Sequence, residues 1–77
     1  MDRVLIVDDD PSMRYSLTRM LEGQGLGVAA AKNGAEALTL FFANKPDLVV
    51  MDIKMPGQSG LEVLRQIKEK DPKALVS

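Results

Sequence analysis

Two unbroken apolar runs, Val4-Leu5-Ile6-Val7 and Leu48-Val49-Val50-Met51, each stop on an aspartate. Nothing else in the chain restricts its fold so strongly. A strand with one wet face alternates apolar and polar residues, whereas a strand apolar at every position needs cover on both faces. Helices must therefore lie above and below these strands. The rest of the chain offers them in the right places.

After the first run, Asp10-Pro11 reads as an N-cap followed by a proline at the first helical position, where no amide donor is needed. Met13, Leu17, Met20 and Leu21 recur at helical spacing and give this first helix an apolar stripe, with Gly23 and Gly25 as its stop. Val28 to Ala31 is a small-sided second strand, suited to a sheet edge. Lys32-Asn33-Gly34 is a turn, with Asn33 or Gly34 opening a second helix whose buried face is Ala37, Leu38, Phe41 and Phe42. Pro46 closes the connection to the run at Leu48, and Asp47 beside it reads as a loop charge.

Beyond Asp52, the loop from Ile53 to Gln58 leads to Ser59-Gly60-Leu61-Glu62, the pattern of a capping box. The third helix then runs to about Lys70, with Leu61, Leu64 and Ile67 inward and Lys68, Glu69 and Lys70 outward. Asp71-Pro72 breaks it, and Ala74-Leu75-Val76 begins a fourth strand. The order β-α-β-α-β-α-(β) is that of an α/β doubly wound parallel sheet, cut shortly after the start of strand 4. In the flavodoxin-like strand order 2-1-3-4-5, strands 1 and 3 are neighbours and ligands bind at their carboxyl ends. Asp8, Asp9 and Asp52 fall there.

Composition narrows the chemistry. The 77 residues contain no cysteine and no histidine, so disulfides, thiolate or imidazole metal sites and Ser-His-Asp catalysis are excluded. A formal charge of −1 gives no electrostatic reason for this segment to bind nucleic acid directly. No apolar run reaches membrane-spanning length and Met1-Asp2-Arg3 does not open a signal peptide, so a cytoplasmic protein with no membrane role is the expectation. Clustered carboxylates repel one another, so either a cation neutralises them or burial raises a pKa, and oxygen-only ligation with few protein groups suits Mg²⁺. The carbonyl of Lys54, two residues past Asp52, could turn back toward the same ion. A carboxylate beside Mg²⁺ can also serve as a nucleophile toward phosphorus. The alternative from the residues alone is a purely structural acid cluster: Asp10 an N-cap, Asp8 and Asp9 a solvated strand end.

Four segments taken together resemble the receiver domain of bacterial response regulators, with the flavour of nitrogen-regulation (NtrC-like) transcriptional activators. They are Val4-Leu5-Ile6-Val7-Asp8-Asp9-Asp10, Asn33-Gly34-x-Glu36-Ala37-Leu38, Pro46-Asp47-Leu48-Val49-Val50-Met51-Asp52 and Met55-Pro56-Gly57-x-x-Gly60. The resemblance implies that Asp52 is the phosphoacceptor, taking its phosphoryl group from the phosphohistidine of a sensor histidine kinase or phosphotransfer protein. It implies that Asp9 ligates Mg²⁺ directly, Asp8 directly or through water, and Lys54 by its backbone carbonyl, with Asp52 in the same site. Control of a covalently attached output domain follows from it. No separate substrate turnover is expected beyond the chain's own phosphorylation and dephosphorylation. Family members are longer, and their later hydroxyl and lysine residues have no counterpart here, so the chain reads as a receiver whose C-terminal part is missing. On that ground the competing expectation is a non-signalling assembly fragment that forms a homodimer or domain swap through an exposed sheet edge.

Overall fold

The computed structural model describes residues 2–51, 60–71 and 75–76. Strands β1 (Arg3–Val7), β2 (Gly27–Ala31), β3 (Leu48–Met51) and β4 (Leu75–Val76) alternate with helices α1 (Pro11–Glu22), α2 (Gly34–Asn44) and α3 (Gly60–Lys70). The sheet is parallel, in the order β2-β1-β3-β4. β1 is therefore flanked on one side by the strand that follows α1 and on the other by the strand that follows α2. Right-handed crossovers running in opposite directions from a central strand put their helices on opposite faces. Accordingly α1 packs on β1 and β2 from one side, while α2 and α3 contact each other on the other.

Strand alternation divides β1 between these layers. Leu5 and Val7 join Ala31, Ala37, Phe41, Val49, Met51, Val63 and Ile67 in the core under α2 and α3. Val4 and Ile6 point the other way and are equally buried. This accounts for the unbroken apolar run.

All three helical faces differ in part from the sequence expectation. No residue of α1 is fully buried, and Met13 and Met20 are 46% and 57% exposed. The half-buried stripe is Arg14, Leu17, Thr18 and Leu21, one step round from the expected Met13, Leu17, Met20 and Leu21. Arg14 takes the inner position because its aliphatic stem can cover apolar surface while its guanidinium reaches a backbone carbonyl. In α3 the inward residues are Val63 and Ile67, four apart, whereas Leu61 is 62% exposed. Leu61 lies two residues from Val63, about 200° round the helix, so it cannot share that face. Leu64 is half-buried. In α2, Ala37 and Phe41 are buried as expected and Leu38 is partly so. Phe42 instead stands 47% exposed, its ring edge-on to Phe41 with 5.4 Å between centroids.

The helix ends follow local chemistry. Asn33 caps α2, its Oδ1 accepting the Glu36 N–H at 2.8 Å, and Glu36 accepts the Lys32 N–H in return. At the end of α1, Gly25 sits at φ 84°, and the Leu26 and Gly25 amides bond back to Leu21 and Glu22. That is a Schellman arrangement, with the glycine where a left-handed residue is required. The expected capping residue Ser59 lies outside the described residues. Glu62 accepts hydrogen bonds from Arg65 and Gln66.

Candidate functional site

The site is built on the carboxyl ends of β1 and β3. Their register pairs Val4 with Leu48 and runs through to Val7 with Met51, so the two strands end side by side. Asp8 and Asp9 continue directly from Val7, and Asp52 is the residue after Met51 in the chain. Asp52, Lys54, Met55, Pro56 and Gly57 lie outside the described residues. The described half of the site is the one carried by β1.

The three consecutive aspartates are chemically identical and structurally distinct. Asp8 is half-buried and tied at three points. Its N–H donates to Ala31 O at 3.1 Å, extending the β1–β2 pairing by one residue. Its Oδ1 accepts the Asp10 N–H at 2.9 Å, and its carbonyl accepts from Arg14 Nη1 at 2.7 Å. Asp10 is exposed and extended, with φ −87° and ψ 114°, and its Oδ1 accepts the Ser12 N–H at 2.9 Å. It is the N-cap that Asp10-Pro11 announces. Asp9, between them, is exposed and neither of its carboxylate oxygens has a partner among the described residues.

Among the described residues this allocation leaves three oxygens without a partner: Oδ2 of Asp8 and both oxygens of Asp9. A donor set of carboxylate oxygens alone, few in number and open to water, suits a small hard cation that keeps part of its hydration shell. Among the described residues, no three histidine, cysteine or acidic side chains converge into a complete ligand cage. The β1 half supplies one well-anchored carboxylate, Asp8, and one exposed carboxylate, Asp9.

The rim is open. Two depressions of about 240 and 250 Å³ lie elsewhere, one lined by Arg3, Gly27 and Pro46 among others and one by Phe41, Phe42, Lys45 and Lys70. Neither is lined by Asp8 or Asp9.

Sequence reasoning treated Asp47 too lightly. Its Oδ2 accepts the N–H groups of Asp2 and Arg3 at 2.9 and 3.1 Å, and its own N–H donates to Arg3 O at 2.9 Å. Those two amide donors hold its carboxyl below the usual range. Asp47 therefore fastens the entrance of β3 to the entrance of β1, and so fixes the register that brings their far ends level. Its position next to Pro46, just before an apolar run, was the available signal. The role of Arg14 at Asp8 was also missed, since an arginine at a helical inward position reads from sequence as a solvated residue.

A family model for the response regulator receiver domain matches residues 4–77. The chain belongs to the response regulator receiver family. NtrC, a DNA-binding transcriptional regulator of Escherichia coli K12, is 46% identical over 69 residues, covering 90% of this chain and 15% of NtrC. PilH of Pseudomonas aeruginosa is 49% identical over 67 residues, covering 87% of this chain and 55% of PilH. Among solved structures, the response regulator TrrA of Thermotoga maritima in complex with Mg²⁺–BeF is 46% identical, with a TM-score of 0.91 over 99% of this receiver and 66% of TrrA. TrrA has also been solved in complex with the histidine kinase ThkA, where the match has a TM-score of 0.90. The receiver thus spans little more than half of PilH and a small part of NtrC. It is a flavodoxin-like α/β module of two-component signal transduction, and no helix among its described residues is long and apolar enough to cross a membrane.

Proposed function

We propose that this receiver accepts a phosphoryl group on Asp52 from the phosphohistidine of a sensor kinase or phosphotransfer protein, and that Asp8, Asp9, Asp52 and the Lys54 carbonyl hold Mg²⁺ for that transfer. The observation that carries the reading is the pairing of Val7 with Met51, which ends both acid-bearing strands at one edge of the sheet. The uncommitted oxygens of Asp8 and Asp9 support the metal assignment, and the Mg²⁺–BeF complex of TrrA supports it by kinship.

In the transfer, one Asp52 carboxylate oxygen forms a bond to phosphorus as the phosphorus–nitrogen bond to the donor imidazole breaks. The imidazole keeps the electron pair of that bond and is protonated from solvent. When bound, the cation offsets the charge that develops on the phosphoryl oxygens. Asp8 and Asp9 contribute by holding that charge at a fixed point of the rim. The exposure of Asp9 suits delivery of the phosphoryl group by another protein. Modification of Asp52 would then be read by an output domain in a longer protein, transcriptional where the resemblance to NtrC extends that far.

The test is incubation with acetyl phosphate or phosphoramidate, with and without Mg²⁺, followed by intact-mass measurement. One phosphoryl group is expected on the wild type with Mg²⁺ and none on Asp52→Asn. Equal incorporation in both would refute the assignment. A second reading, assembly through a sheet edge, draws on the outer side of β3, where among the described residues only the two residues of β4 pair with it. A monomer in sedimentation velocity at high concentration would remove it.

A further inference from the structure

We propose that Arg14 is a positioning residue that fixes the carboxylate of Asp9 for Mg²⁺ by holding the carbonyl of Asp8; this rests on the metal reading of the site. Asp9 makes no side-chain contact of its own among the described residues, so the only restraint on its side chain is the Cα–Cβ direction that its backbone sets. That backbone is pinned on both sides. Asp9 lies between two planar peptide units, one carrying the carbonyl of Asp8 and the other the N–H of Asp10. The first is held by Arg14 Nη1 at 2.7 Å, and the second donates to Asp8 Oδ1 at 2.9 Å. Asp8 is itself anchored to β2 through Ala31, and the amide of Arg14 bonds to Asp10 O at 3.0 Å. Arg14 therefore starts from the first turn of α1, reaches back, and closes a loop of bonds around the one residue left free. Both peptide units flanking Asp9 are fixed, and with them its Cα–Cβ direction.

Removing Arg14 has two effects with opposite signs, which makes the proposal testable. Its positive charge, close to a cation site, opposes metal binding, so loss of charge alone would tighten Mg²⁺. Loss of positioning would weaken it. Groups that orient metal ligands typically change affinity by about 10–100-fold when removed. We expect the positioning effect to win, so Arg14→Met should bind Mg²⁺ about tenfold more weakly than the wild type.

The experiment follows the Asp9 and Asp10 amide resonances during Mg²⁺ titration of the wild type, Arg14→Met and Arg14→Lys, with thermal unfolding followed on each. Weaker binding in Arg14→Met at a temperature where every variant is fully folded, partly restored in Arg14→Lys, supports the proposal. Unchanged or tighter binding in Arg14→Met overturns it while leaving the metal reading intact. A wild type that shows no Mg²⁺ response overturns both. If Arg14→Met fails to fold, the wild type alone decides. Slow solvent exchange of the Arg14 guanidinium protons supports a persistent bond to Asp8, and fast exchange overturns it.

Discussion

Three adjacent aspartates with separate duties make a sharp experimental prediction. Asp10→Ala deletes the carboxylate that accepts the Ser12 amide at 2.9 Å. Loss of such an N-cap typically costs about 1 kcal/mol, and in a domain of this size that lowers the melting temperature by about 4–8 °C. The main-chain N–H of Asp10 remains and still donates to Asp8 Oδ1, so the frame around Asp9 survives and Mg²⁺ affinity should hold within about twofold, roughly 0.4 kcal/mol. Asp9→Ala should do the reverse. An exposed side chain without partners contributes within about 0.5 kcal/mol to folding, and relief of repulsion among the acids can raise stability in metal-free buffer. Mg²⁺ affinity should fall by more than about tenfold, since loss of a group that merely orients a ligand already costs that much. Asp8→Ala should affect both readouts, because it loses a ligand oxygen and the bond to the Asp10 amide. The assay is circular dichroism at 222 nm through thermal unfolding in EDTA, paired with Mg²⁺ titration by amide chemical shift. Asp10→Ala abolishing the Mg²⁺ response without loss of stability would refute the division of labour. So would Asp9→Ala destabilising the metal-free fold by about 1 kcal/mol or more, twice the margin allowed for a surface change.

Further outcomes follow from the same contacts. Ile67→Ala should cost about 2–5 kcal/mol by opening a cavity under α3, and Leu61→Ala within about 0.5 kcal/mol, as urea unfolding would show. For Asp47, whose folded pKa lies below its ordinary value of 3.8, stability gained from the Asp2 and Arg3 amides is complete above about that pH. It is lost as pH falls through the lower folded value, so Asp47→Asn should flatten the acid limb of a stability–pH profile. Glu62, lowered to about 2 chiefly by Arg65, should behave likewise between about pH 4.5 and pH 2, with high salt shrinking the effect. Lys45 holds φ 48° at the end of α2, a left-handed conformation costing a non-glycine residue about 1–2 kcal/mol; Lys45→Gly should therefore raise the melting temperature.

The sheet was legible because Val4–Val7 and Leu48–Met51 carry a signal that depends on few contacts, an apolar residue at every position; cover is complete on both faces of Val4–Val7, whereas Leu48 and Val50 stay half-buried. The helical faces were less legible. A stripe read from Met13, Leu17, Met20 and Leu21 assumes that apolar residues set the phase of the helix. In α1 the phase is set instead by Arg14, whose guanidinium has an acceptor on the preceding loop. In α3 the inward residues Val63 and Ile67 compete in sequence with an equally plausible Leu61, Leu64, Ile67 triplet, and only packing against α2 separates them. Phe42 shows the same limit. Next to Phe41 it looks like core, but adjacent helical residues point about 100° apart and only one can face the sheet.

The site divides along a similar line. That Asp8 and Asp9 end β1 beside the strand leading to Asp52 follows from topology, and the sequence carries topology in its alternation of elements. Which of the three acids is spare does not follow from topology, since all are the same residue. It follows from backbone partners: the Asp10 carboxylate meets a helix amide, one Asp8 oxygen meets the Asp10 amide, and Asp9 meets nothing described. A ligand for a hydrated cation needs that third condition, because any internal hydrogen bond must be broken or shared on binding. The first two conditions make it useful, since an unpartnered carboxylate on a mobile loop would spend its binding free energy on ordering itself. Asp9 is thus both free and held. The side chains that hold it, those of Asp8 and Arg14, should matter to metal affinity in proportion to how directly each fixes the two peptide units beside it.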